Sequence, residues 1–347
     1  MKKQSQSLAD KIKILIIQKK FMGDILVSST TFPLLKKKFP DAELSVLLEE
    51  KHKQILYGNP YLDHLIFWDD QNFVQMMQNI RRENFDIVID LYSKIDTGLL
   101  TLFSGAKKRI GFFKNYTKFF YNNPVKRRQK AISDNTTLGI EHRLQLLEPL
   151  DIKFQEIFPK TYILDEELEN AKKILTQNGL KTDDSLVMIS TFGSSKEKTY
   201  PLEYIAKVLD NIVKFQPDSK ILCNYLPFQK ELFIKLMNMV TDITQKAIVK
   251  EFDTKNLREF AAVTSLCKCL IGNEGGATNL SKSLNIPTFT IFAPHIQLKG
   301  WAWTSNPKMD KFLHLNDFVP ESSNYSDFKP ELFEDQLKDF LNRALND

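Results

Sequence analysis

The sequence predicts an α/β protein of two doubly wound units, each a parallel sheet with helices on both faces. Three observations lead there. Short apolar runs of strand length alternate with amphipathic helical stretches along most of the chain, the pattern of parallel strands joined by helical crossovers. The 347 residues are enough for about two domains of ~150 residues each. The stretch PLDIKFQEIFPKTYIL, with Pro149 and Pro159, interrupts the rhythm near mid-chain, and a single sheet of so many strands would be unusual.

In chain order, the first half offers strands at 12–17, 44–48, 64–68, 86–91 and 109–112. Near-continuous runs such as KILII and IVID suit strands buried on both faces. Between them lie helical patterns near 24–38, 50–57, 71–83 and 95–104. The second half offers strands at 186–190, 220–224, 269–272 and 288–292, with helices near 166–178, 201–214, 228–240, 255–265 and 276–284. A last amphipathic helix over 330–345 follows the polar stretch PESSNYSDFKP. The expected division is 1–155, 156–329 and a closing helix, 330–347, that packs back on the first domain.

Composition narrows the function. The chain is 42% hydrophobic and 26% charged, as in folded globular proteins. No window approaches the ~20 apolar residues of a spanning helix. The N-terminus, MKKQSQSLADK, lacks a signal segment, so a cytoplasmic location is expected. Net charge is +5. Basic triplets at Lys36–Lys38, Lys107–Arg109 and Lys126–Arg128 concentrate in the first half. They are either solvated helix ends or a surface for phosphate-bearing partners or an anionic membrane. They are too sparse for nucleic acid. Cys223, Cys267 and Cys269 form no metal pattern and read as buried thiols in a reducing compartment.

Ligands of such folds bind at the carboxyl ends of strands, which selects the loops 19–24, 191–199 and 273–277 as the walls of a cleft. In KILIIQKKFMGDILVSS, Gly23 permits a turn and Asp24 opens a helix. An aspartate there is either a cap or a partner for the helix dipole, or a base for a hydroxyl group. In VMISTFGSSKEKTYP, Lys198 stands near Thr191, Ser194 and Ser195. The loop resembles a Walker loop with Glu197 at the second glycine, which argues against that assignment. Lys198 is either an exposed loop lysine or a partner for a diphosphate. In CLIGNEGGATNLSKSL, Gly275 and Gly276 precede a helix whose first amides lack internal partners. The glycines either serve a turn that needs positive φ or admit an anion to those amides. Glu274 could accept hydrogen bonds from a ligand.

These residues also carry a family resemblance. The block KILIIQKKFMGDILVSSTTFPLL and its continuation to FWD, FDIVIDLYSK with SGAKKRIGF, EKTYP, and IGNEGGATNLSKSLNIPTFTIFAP together resemble the bacterial heptosyltransferases of glycosyltransferase family 9. The resemblance runs roughly from Lys11 to Pro294 and implies a GT-B fold, with the acceptor on the first domain and a nucleotide diphosphate sugar on the second. It implies inverting transfer of a heptose or related sugar, ADP-heptose foremost, to a lipid-linked glycan of the lipopolysaccharide core. No metal and no cofactor is expected; there is no Asp-x-Asp pair. A peripheral position at the cytoplasmic face of the inner membrane is a further expectation. By this resemblance Asp24 is the catalytic base, Lys198 binds phosphate, and Glu274, Gly275, Gly276 and Ala277 form the donor signature. Thr191, Ser194 and Ser195 are a candidate donor loop, and either Gln229 or Glu231 holds the ribose. The signature usually reads G-N-D-S-G-x-x-H; here Glu274, Gly275 and Asn279 replace the aspartate, the hydroxyl residue and the histidine. Two other readings stay open: transfer of another sugar to another surface glycan, and a non-catalytic sugar-nucleotide-binding protein of the same fold.

Overall fold

The computed structural model describes residues 11–249 and 252–346; the polar tail MKKQSQSLAD lies outside the described residues. The chain divides into two compact units. The first comprises 1–132 and 138–159, and the second 133–137 and 160–347.

In the first unit the order is β1 (Lys13–Ile17), α1 (Met22–Ser28), α2 (Thr31–Lys38), β2 (Glu43–Leu48), β3 (His64–Phe67), α3 (Phe73–Arg82), β4 (Ile87–Asp90), α4 (Ile95–Phe103), β5 (Lys108–Phe112), β6 (Asn123–Val125) and α5 (Leu138–Gln145). The six strands are parallel, in the order β3-β2-β1-β4-β5-β6. The most apolar runs take the centre, where Ile14 faces Leu44 on one side and Ile87 on the other. Leu15, Ile17 and Val88 pack with Met76 and Ile80 of α3 and Leu100 of α4.

The single helix expected over 24–38 is two helices. The hydroxyls of Ser28, Ser29, Thr30 and Thr31 donate back to the carbonyls of Asp24, Leu26, Val27 and Ser28. Such local bonds compete with the helical ladder. The stretch expected as a helix over 50–57 is a 3₁₀ segment, Glu50–Leu56.

In the second unit the order is α6 (Asp165–Gln177), β7 (Leu186–Ser190), α7 (Leu202–Phe215), β8 (Lys220–Asn224), α8 (Lys230–Met237), α9 (Asp242–Ala247), α10 (Leu257–Thr264), β9 (Cys269–Asn273), α11 (Gly276–Ser283), β10 (Thr288–Ile291), α12 (Leu298–Trp301), β11 (Lys311–Leu313) and α13 (Glu334–Asn346). Its parallel sheet has the order β11-β10-β9-β7-β8. The closing helix α13 belongs to this unit, not to the first. Leu337, Phe340 and Leu341 join Ile205, Leu209 and Ile212 of α7 in one buried cluster. Lys214 Nζ also donates to Glu334 at 2.8 Å. An amphipathic pattern says which face is buried, not against what.

Candidate functional site

In the first sheet the strand order reverses between β1 and β4, so the crevice of such a fold opens at their carboxyl ends. Asp24 lies there, as the third residue of α1. It does not cap: Phe21 is the N-cap residue and no side chain closes that helix end. Its Oδ1 instead accepts a hydrogen bond from Arg143 Nη2 on α5. Arg143 Nη1 in turn donates to the Gly139 carbonyl at 2.5 Å. Burial presses the Arg143 pKa down while Asp24 pulls it up, and a guanidinium in such a pair stays charged. The Asp24 side chain keeps 28% of its surface exposed, so a substrate hydroxyl can reach it.

A second cluster forms at the end of the same strand, β1. Lys19 follows β1, and its Nζ donates to Asp70 at 2.9 Å and Asp96 at 3.1 Å. It also lies 4.1 Å from the centroid of the Trp68 ring. Trp68 Nε1 donates to Asp70 at 2.6 Å. Burial opposes the lysine's charge, but the two carboxylates outweigh it and its pKa is raised. Trp68, Asp70, Phe73, Ile95, Asp96 and Tyr116 line a cavity of about 510 Å³. Aromatic and aliphatic walls with two carboxylates suit a polyol: the rings cover C–H faces and the carboxylates accept hydroxyl protons.

In the second sheet the order reverses between β7 and β9, and the two loops that leave those strands are stapled together. Asn273 Nδ2 donates to the carbonyls of Ser190 at 3.0 Å and Thr191 at 2.9 Å. Its Oδ1 accepts from the Tyr200 amide at 2.7 Å. Ser190 Oγ donates to the Asn273 carbonyl at 2.9 Å. Close approach is enforced at Gly272, whose φ is +130° and where an added Cβ would lie 2.4 Å from the Ser190 oxygen. The expected need for positive φ therefore belongs to Gly272 and not to the Gly275–Gly276 pair. Gly275 has φ 164°, extended backbone open to any residue, and no heavy atom lies within 4 Å of a Cβ placed there. Gly275 leaves open space in front of α11.

The helix end behind that space carries partial positive charge. α11 begins at Gly276, so the Gly276 and Ala277 amides have no acceptor within the helix. The amide of Gly275 is already held by Thr278 Oγ1 at 3.0 Å. Glu274 is buried at 8% exposure. Burial raises its pKa, against the pull of Lys198, Lys282 and His295. Lys198 and Glu274, far apart in sequence, are thus brought within electrostatic reach. Asn279 is buried, and its Oδ1 has no hydrogen-bond donor among the described residues. Thr191 is buried, whereas Ser194 and Ser195 are exposed on the same loop. Gln229 is engaged at both ends of its amide, donating to the Gly193 carbonyl at 3.2 Å and accepting from the Leu226 amide at 2.8 Å. Glu231 is exposed in the first turn of α8.

Sequence reasoning missed Arg143, because nothing local connects a residue on α5 to one 119 positions earlier. It also missed Lys282, which is 2% exposed. That residue donates to the Trp301 carbonyl at 3.0 Å and sits 4.3 Å from the Trp303 ring centroid. A lysine between two serines on an amphipathic helix reads as solvated.

Known proteins resemble this chain in sequence and in fold. Lipopolysaccharide heptosyltransferase 1 of Campylobacter coli is 27% identical over 296 residues, covering 81% of this chain and 84% of that protein. The crystal structure of a family 9 glycosyl transferase from Veillonella parvula superposes with a TM-score of 0.74 at 18% identity, over 96% of this chain and 97% of that one. That of Escherichia coli ADP-heptose lps heptosyltransferase II does so with a TM-score of 0.75 at 15% identity, over 96% and 99%. The fold is therefore the GT-B fold of these structures. Residues 73–309, which carry half of the first sheet, four of the five strands of the second and the loops after β7 and β9, match the family described as glycosyltransferase family 9 (heptosyltransferase). The chain belongs to glycosyltransferase family 9 and is a glycosyltransferase.

Proposed function

We propose that the protein transfers a heptose or a closely related sugar from a nucleotide diphosphate donor, ADP-heptose foremost, to a lipopolysaccharide core acceptor. The observation that carries this reading is the assembly of Lys198, Glu274 and the free amides of Gly276 and Ala277 where the strand order of the second sheet reverses. Helix amides and a lysine suit a diphosphate. The relatives named for lipopolysaccharide heptosyl transfer support the sugar and the acceptor.

The chemistry follows from the residues. The acceptor is held by the first unit, and its hydroxyl oxygen attacks the anomeric carbon. Asp24 takes the hydroxyl proton as that C–O bond forms. The bond from the anomeric carbon to the diphosphate breaks, and the nucleoside diphosphate departs with the electron pair. A single displacement of this kind inverts the anomeric centre. Lys198 and the α11 amides stabilise the charge that grows on the leaving group. Arg143 orients the Asp24 carboxylate. The donor charge is handled by protein cations and amides, so transfer is expected to persist after exhaustive chelation.

Two observations favour a second donor. Gly275 offers no hydroxyl to the diphosphate and Asn279 Oδ1 lacks a donor, both at positions that differ from the usual signature. A thermal-shift panel of ADP-, UDP-, GDP- and CMP-linked sugars, followed by transfer assays, tests the reading, because a ligand specific to the folded state raises stability. Stabilisation by ADP-heptose alone supports heptosyl transfer. Stabilisation by a different nucleotide sugar alone replaces the donor, and stabilisation by none overturns the reading.

A further inference from the structure

Lys282 is a buried cation that the chemistry above leaves unused. It lies on α11, the helix whose first amides face the donor site, and is 2% exposed, whereas Lys198 is half-buried. A ligand can therefore meet Lys198 but not Lys282. Lys282 Nζ donates to the Trp301 carbonyl at 3.0 Å and lies 4.3 Å and 5.1 Å from the ring centroids of Trp303 and Phe312. Two carboxylates, Asp310 and Glu274, act on it across space.

These two carboxylates differ. Asp310 is engaged at both oxygens: Oδ1 accepts from the Thr288 amide at 2.9 Å and hydroxyl at 3.0 Å, and Oδ2 accepts from the Thr304 hydroxyl at 2.6 Å. The Glu274 carboxylate accepts no hydrogen bond from the described residues; burial raises its pKa, and Lys198, Lys282 and His295 oppose that from a distance. Glu274 immediately precedes Gly275 and the α11 amides. A buried carboxylate thus stands beside the amides proposed to take a diphosphate, and like charges there repel. Once Lys198 meets the diphosphate, Lys282 is the enclosed cation left to balance Glu274.

We infer that Lys282 is a positioning residue of the donor site: without touching the ligand, its ammonium offsets the repulsion between Glu274 and the donor diphosphate and keeps that carboxylate an acceptor for donor hydroxyls. This rests on the proposed donor role of the second unit. Besides Lys198, the titratable groups that face the pair are Asp310, His295 and Tyr325, the last with a pKa raised by burial and by Glu274. In the free protein the Lys282 pKa is lowered to about 7, so the ammonium is present below that pH and lost above it. A diphosphate nearby favours the charged form and raises that pKa. Donor binding therefore takes up a proton, and it weakens as pH rises above about 7.

Calorimetry with ADP-heptose, or with the nucleotide diphosphate sugar that stabilises the protein in the thermal-shift panel, tests this role. A diphosphate esterified at both ends does not itself titrate in the range used. The affinity of the parent is expected to fall about tenfold between about pH 6 and about pH 9, the equivalent of one pKa unit. Part of a proton should be taken up at about pH 8, read from buffers of different ionisation enthalpy. Lys282→Met should bind about tenfold more weakly at about pH 6 and lose both the pH dependence and the proton uptake. Its expected gain in stability separates that loss from damage to the fold. In a Glu274→Gln background Lys282→Met should cost less than about twofold, since the carboxylate it balances is gone. Proton uptake by the parent needs no variant, and its absence overturns the role even where Lys282→Met does not fold. A pH dependence that survives in Lys282→Met belongs to another group and also overturns it. So does a full loss in the Glu274→Gln background, which would mean that Lys282 does not act through Glu274. If the parent binds no nucleotide sugar, the donor reading falls and this role with it. If the parent binds and Lys282→Met matches it at every pH, this role alone falls.

Discussion

Asp24 illustrates how one residue gains meaning from a distant partner. From sequence it was a helix cap or dipole partner, or a base. The structure removes the cap, since the carboxylate is turned to Arg143 and caps nothing, while its place in the first turn of α1 still suits the helix dipole. An arginine on one carboxylate oxygen fixes the side chain's direction and leaves the other oxygen for a proton. Asp24→Asn is therefore expected to lower kcat by about 10²–10⁴-fold with donor affinity unchanged. Near-normal turnover would remove Asp24 as the base. Arg143→Gln should lower kcat less, by about 10–100-fold, because it loosens a geometry instead of deleting a base; Arg143→Lys should recover part of it. In the second unit, Lys198→Ala should raise the donor KM and lower kcat together, since the diphosphate gains charge in the transition state. Unchanged values of both would return Lys198 to the class of surface lysines.

Strands and loops differ in how much of them the sequence discloses. Buried parallel strands are unbroken apolar runs, and β7 and β8 span the expected residues. The two strands that went unread, β6 and β11, are three-residue edges, and β6 contains Pro124, which edge strands tolerate. α5, α9 and the short α12 also went unread; α5 follows directly on a segment that belongs to the second unit. The glycines of the β9–α11 element were legible as a site, but not in their separate duties. Gly272 supplies the close approach between strands, and Gly275 supplies the opening. Gly272→Ala should lower stability by about 1–3 kcal/mol through positive φ and its clash with the Ser190 carbonyl. Gly275→Ala should leave urea unfolding within about 0.5 kcal/mol of the parent yet weaken nucleotide-sugar binding at least about tenfold, because its methyl enters the space before the helix amides. If calorimetry shows full affinity in folded Gly275→Ala protein, the donor diphosphate does not approach there.

On the scale of the whole molecule, each unit has its own core, yet no single cut separates them, because 133–137 belong to the second unit and 138–159 return to the first. That return brings Arg143 to Asp24. With two cores, unfolding need not be one transition, and a pH effect should be sought in the unit that holds its cause. Lys282 is such a cause. It is enclosed with Trp303 and Phe312, near Asp310 and Glu274. Burial, only partly countered by those two carboxylates, lowers its pKa to about 7 from the ordinary 10.5. Between those values the unfolded chain holds a proton that the folded unit lacks. Stability of the second unit should therefore rise as pH rises from about 7 toward 10, by at most about 1.4 kcal/mol per pH unit. Below pH 7 the buried ammonium is charged and its full cost is present. Lys282→Met, close in volume and without charge, should flatten that rise and make the unit more stable at pH 7. Trp68 belongs to the first unit, so in a Trp68→Phe background Trp301 and Trp303 report the second unit alone during urea unfolding. Equal slopes with and without Lys282 would mean that the lysine stays charged throughout and that its aromatic enclosure and the two carboxylates fully sustain the ammonium.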